Sequence, residues 1–167
     1  LATVAVCKCM KIENNVIAEG IIGFKGIRHR IEFVREFEGV KYFNDSKATN
    51  VGSTVNALSS MNGKTVLLLG GRDKEQSFDS LFEQLKDKNV DKVVLFGETR
   101  YKMLKSAEKA SFEDVCVASN FISAVNLART ESKEGENVLL SPACASYDEF
   151  SGFEERGDKF VELVNAF

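Results

Sequence analysis

Asn44-Asp45-Ser46-Lys47-Ala48-Thr49-Asn50 is an unbroken run of polar or small residues between an apolar stretch, Val40 to Phe43, and a helical pattern from Val51 to Met61. Such a strand-to-helix junction is a poor way to build a core. It does place an acid, a lysine and hydroxyls beside the free N–H groups of a helix N-terminus, where anions bind. Two other stretches have the same character: Gly70-Gly71-Arg72-Asp73-Lys74, and Ser141-Pro142-Ala143-Cys144-Ala145-Ser146-Tyr147-Asp148. Together they offer two lysines, Lys47 and Lys74, and two hydroxyls, Thr49 and Ser146. Separated cations with hydroxyl donors suit a small ligand bearing two carboxylates, each charge-assisted hydrogen bond contributing roughly 1.5–3 kcal/mol. Plainer readings compete. The lysines can be solvated, Gly70-Gly71 can be turn punctuation, Ser146 can satisfy an irregular loop, and Phe153 can be core. The lone His29, in Ile27-Arg28-His29-Arg30, reads as a surface or linker histidine.

The elements that must position these residues follow from the hydrophobic pattern. Leu1 to Ile12 and Glu13 to Phe24 read as two short helices. Ile31 to Phe37 reads as a strand, with Ile31, Phe33, Val34 and Phe37 set against Glu32, Arg35 and Glu36. Glu38-Gly39 turns it back into Val40 to Phe43 as a hairpin. Continuous apolar runs at Thr65 to Leu69, Lys92 to Phe96, Val115 to Ala118 and Asn137 to Leu140 then alternate with helical patterns at Phe78 to Lys88, Arg100 to Ala110, Phe121 to Thr130 and Phe153 to Phe167. That alternation predicts a Rossmann-like α/β fold: a mostly parallel sheet with helices on both faces and an antiparallel hairpin at its edge. Ligands of such sheets bind beyond the carboxyl ends of the strands. The three unusual loops are expected at one rim, and those after Gly97 and Ala118 look plainer.

Size and composition narrow the function. The chain has 167 residues, 44% of them hydrophobic and 28% charged, with net charge −3. It is long enough to bury a core without metals or disulfides, and it lacks the basic face of a nucleic-acid protein. Its four cysteines have no paired zinc spacing and read as reduced thiols of a cytoplasmic protein. No stretch resembles a signal peptide or a membrane span. Gly63-Lys64-Thr65 imitates the end of a phosphate loop, but it precedes its strand and position 58 is Leu. No G-x-G-x-x-G occurs. A first residue that is Leu suggests a fragment.

Asn44-Asp-Ser-Lys-Ala-Thr-Asn50, Gly70-Gly-x-x-Lys74, Leu140-Ser-Pro-Ala-Cys-Ala-Ser146 and Phe153-Glu-Glu-Arg-Gly157, in that order, resemble the Mur ligases, and specifically the branch that adds D-glutamate to UDP-N-acetylmuramoyl-L-alanine. Gly26 to Glu32 looks like the linker into that family's C-terminal domain. The resemblance implies that residues 25–167 are the amino-acid-binding domain and residues 1–24 a remnant of the central ATPase domain. It implies an ATP- and magnesium-dependent amide ligase acting through an acyl phosphate in peptidoglycan precursor synthesis, of which this piece alone is inactive and holds no metal. By resemblance, Lys47, Thr49, Lys74, Ser146 and Phe153 surround D-glutamate, Lys47 also meeting the developing oxyanion. His29, Arg30 and Asp45 complete the ATP site when domains close. The alternatives are a different Mur-type or folylpolyglutamate ligase, which a preference for diaminopimelate or lysine favours, and a non-enzymatic Rossmann-like binding module.

Overall fold

The structure, a computed structural model, describes residues 1–167. The chain runs α1 (Ala2–Cys9), α2 (Asn14–Ile22), β1 (Glu32–Phe37), β2 (Val40–Asn44), α3 (Val51–Leu58), β3 (Thr65–Gly70), α4 (Asp79–Leu85), β4 (Val90–Phe96), α5 (Arg100–Lys109), β5 (Val115–Val117), α6 (Phe121–Glu131), β6 (Asn137–Leu140) and α7 (Phe153–Asn165). All six strands join one sheet in the order β1-β2-β6-β3-β4-β5. β1 is antiparallel to β2, and every other pairing is parallel. The expected α/β architecture with an antiparallel edge therefore holds.

Strands β3 and β6 are buried on both faces, which is why they read as continuous apolar runs. Their side chains alternate between two cores. Leu67, Leu69, Val93, Leu95 and Leu139 face α3, α4 and α5. Val66, Leu68, Val94, Phe96, Val138 and Leu140 face α6 and α7. Asn50 starts α3 because its side chain accepts the Ser53 N–H at 2.9 Å, an N-cap bond.

One facing was misjudged from the pattern. The pairing register slips between Phe33 and Arg35, so a bulge turns Phe33 outward. Phe33 is 55% exposed and rests its edge on Phe43, while Val34 packs toward the core of α6 and α7. Helices α1 and α2 stand apart: neither packs appreciably on the sheet, and Ile17 is the sole buried residue in them.

Candidate functional site at the carboxyl rim

Strands β2, β6 and β3 are neighbours and parallel, so the loops that follow them lie side by side. Backbone bonds tie the loops together. Asp45 N–H donates to Leu140 O at 2.8 Å, Gly70 N–H to Pro142 O at 3.0 Å, and Arg72 N–H to Ala145 O at 2.9 Å. Gly71 makes this approach possible: its φ is +138°, and a Cβ there would sit 2.2 Å from Ala145 O.

Arg156 locks the assembly from beneath. Its side chain is fully buried. Nε donates to Ser46 Oγ at 3.0 Å, Nη2 to Ser46 O at 2.9 Å and Cys144 O at 3.0 Å, and Nη1 to Ala145 O at 3.2 Å. Burial pulls its pKa down to about 10, still charged at neutral pH. The cation is satisfied by oxygens of two loops at once, which fixes their spacing. Ser46 Oγ in turn donates to Phe153 O at 2.8 Å, joining the start of α7 to the first loop.

Asp45 is buried, accepting from Ile31 N–H at 3.2 Å and Ser141 Oγ at 2.7 Å. Burial raises its pKa to about 6; the Ser141 and Ile31 bonds and the nearby Arg30 charge offset that only in part. With Arg30, Lys47, Ser53 and Asn56 it lines a cavity of about 190 Å³. The Lys47 ammonium stands 5.3 Å from the centre of the half-buried Phe153 ring, a cation–π arrangement.

His29 is not a surface residue, although it lies in the segment between α2 and β1. It is 4% exposed and caught between the first loop and α7. Its Nδ1 lies 3.0 Å from Asn44 Nδ2, its ring meets Phe153 edge-on at 6.0 Å, and its carbonyl accepts the Lys47 N–H at 3.0 Å. Gly157 lets α7 come this near, since a Cβ there would lie 2.2 Å from Nδ1. His29 does not line the cavity that Arg30, Asp45 and Lys47 share.

Thr49, Ser146 and Lys74 occupy the same three loops. No protein hydrogen bond or ion pair engages their side chains. Ser146 is buried, with its carbonyl turning the chain by accepting from Glu149 and Phe150, while Lys74 is exposed. A wider groove of about 640 Å³ between α6 and α7 collects Glu149, Glu155, Asp158 and Glu162, which suits no anion, and no predicted residue lines it. No three His, Cys, Asp or Glu side chains cluster as metal ligands.

Arg156 carried no role in the sequence reading, yet a signal was there. Phe153, Arg156, Gly157, Phe160 and Val164 share one helical stripe. An arginine on an apolar stripe is a buried charge with partners to find.

The fold is an open α/β sheet whose adjacent parallel strands end in loops carrying lysines and hydroxyls, braced by a buried arginine, with these loops at the carboxyl rim where sheets of this class place their ligand sites. The chain belongs to the Mur ligase family: residues 29–144 match the family's model, described as Mur ligase, glutamate ligase domain. It is 45% identical over 164 residues to the UDP-N-acetylmuramoylalanine–D-glutamate ligase of Pelotomaculum thermopropionicum and 42% identical to that of Latilactobacillus sakei. In each case 98% of this chain is covered and 36% of the relative, so the chain spans little more than a third of the curated relatives it matches. Among solved structures, UDP-N-acetylmuramate-alanine ligase from Thermotoga maritima shares the fold with a TM-score of 0.72 at 14% identity, over 99% of this chain and 36% of that one. A folylpolyglutamate synthase from Mycobacterium tuberculosis shares it with a TM-score of 0.62 at 14% identity, over 90% and 35%.

Proposed function

We propose that this chain is the amino-acid-accepting part of an ATP-dependent ligase that joins D-glutamate to UDP-N-acetylmuramoyl-L-alanine in peptidoglycan precursor synthesis. Residues 25–167 form the acceptor domain, and residues 1–24 belong to the central ATPase domain that precedes it. The observation that carries this is the likeness, along nearly the whole chain, to relatives bearing that activity in their names. The rim supports it. Lys74, Thr49 and Ser146 take the carboxylates of D-glutamate, with Phe153 as the wall beside its carbon chain. Lys47, steadied over Phe153, reaches the glutamate and the oxyanion that forms as the amine attacks the activated acyl carbon. Arg30 and Asp45 meet one end of ATP when the domains close. His29 acts at that site through Asn44 and the Lys47 backbone.

ATP, with magnesium, would supply the activation of the carboxylate of UDP-N-acetylmuramoyl-L-alanine, which the amine of D-glutamate then attacks. The cavity at Arg30 and Asp45, about 190 Å³, is smaller than the roughly 300–1,000 Å³ of a drug-sized site and suits part of a nucleotide. The rest of ATP and the metal fall to residues outside this chain. The free thiols Cys7, Cys9, Cys116 and Cys144 fit a cytoplasmic enzyme.

The test uses the full-length protein, following phosphate release with UDP-N-acetylmuramoyl-L-alanine, ATP and D-glutamate. Lys74→Ala is expected to raise the KM for D-glutamate and Lys47→Ala to lower kcat, each costing about 10–100-fold in kcat/KM. A wild-type enzyme that prefers diaminopimelate or lysine belongs to another branch of the family and overturns the assignment.

A further inference from the structure

The loop after β4, which looked plain in sequence, holds the Lys74 loop from both sides. Asp73 is the hub. Its N–H donates to Glu98 Oε2 at 3.2 Å, and its Oδ1 accepts the Glu75 N–H at 2.8 Å. Lys102 Nζ, from α5, lies 2.9 Å from both Asp73 oxygens. Lys102 is itself seated 5.9 Å above the ring of the fully buried Phe78. Glu98 also pairs with Arg72 Nε at 3.3 Å, and its own N–H is held by Asp148 at 3.0 Å. Thr99 adds backbone and hydroxyl bonds to Gly71 O, at 3.1 and 3.2 Å. The residue before Lys74 is therefore held by the Glu98 carboxylate and the residue after it by that of Asp73, while the Lys74 side chain makes no hydrogen bond or ion pair.

A partly exposed ion pair contributes little to overall stability, and the cores on either side of the sheet do not depend on this one. Its effect is local. Glu75 has φ +60°, a left-handed backbone that costs a non-glycine residue free energy and persists here through the bond to Asp73. Without Lys102 the Asp73 carboxylate swings free, the turn relaxes, and the long Lys74 stem amplifies the shift at its tip. We propose that Lys102, Asp73 and Glu98 are positioning residues that set where the Lys74 ammonium meets the acceptor amino acid's carboxylate, an inference that rests on the function proposed above.

Steady-state kinetics of the full-length protein test it. Lys102→Met and Asp73→Ala are expected to raise the KM for D-glutamate about tenfold, with kcat within about twofold. The KM for ATP and the thermal midpoint stay at wild-type values, and Lys102→Arg restores the KM. An unmoved KM for D-glutamate in both variants of an active enzyme overturns the inference alone, as does an equal rise for every substrate. A wild-type protein that does not use D-glutamate overturns the proposed function and this inference with it.

Discussion

Asp45 shows how a single buried carboxyl can draw on stability as pH rises. A carboxyl whose pKa stands near 6 in the folded protein binds its proton more tightly there than in the unfolded chain. The cost of its charge is absent below about pH 4, grows as pH rises toward 6 and is complete above that, amounting to about 2–3 kcal/mol. Asp45→Asn keeps an acceptor for the Ile31 N–H and removes the buried charge. We expect its thermal midpoint to exceed wild type at pH 8 and the gain to vanish at pH 4, measured by calorimetry across that range. At this scale the sequence was most legible in the loops: Lys47 and Lys74 are exposed and Thr49 is half-buried, as polar loop residues usually are. Arg156 and His29 were harder. Their partners are mostly backbone oxygens and a side-chain amide on other loops and strands, as distant in the chain as Ser46 is from Arg156, and one-dimensional spacing does not display such partners.

Among the elements, the doubly covered strands were read correctly because burial on both faces leaves uninterrupted apolar runs. The bulge in β1 was not, since an extra residue in a short strand leaves the composition unchanged while exchanging its faces. Helix ends drifted for a similar reason. The pattern ran α4 from Phe78 to Lys88, whereas the regular helix covers Asp79–Leu85, its last buried contact. The Gly70-Gly71 pair turned out to be more than punctuation, because carbonyls of the neighbouring strand β4 and of the loop after β6 fill the space where side chains would go. At Gly70 a Cβ would stand 2.0 Å from Phe96 O. Gly71→Ala is therefore expected to lower stability by about 3–4 kcal/mol, read from the urea midpoint. Gly52→Ala, whose Cβ makes ordinary contact 3.6 Å from Asn50 Oδ1, is expected to be neutral or stabilising by up to about 1 kcal/mol.

For the molecule as a whole, the two N-terminal helices are an appendage to the sheet domain. Val6, Met10, Ile21, Ile22 and Phe24 are exposed in and just after them, and exposed apolar side chains in such number promote association. Deleting residues 1–26 is expected to leave the thermal midpoint of the sheet domain within about 2 °C of its original value and to reduce self-association, both measurable by calorimetry and light scattering. The order of the strands was the least legible property of all: local patterning marks which segments are strands but not which become neighbours. β6, last of the six in the chain, lies between β2 and β3. A ribosome must therefore release most of this polypeptide before the early hairpin can join the middle of the sheet. Until then both flanking strands present open edges to the crowded cell, so the emerging domain has reason to need chaperone shelter late in its synthesis.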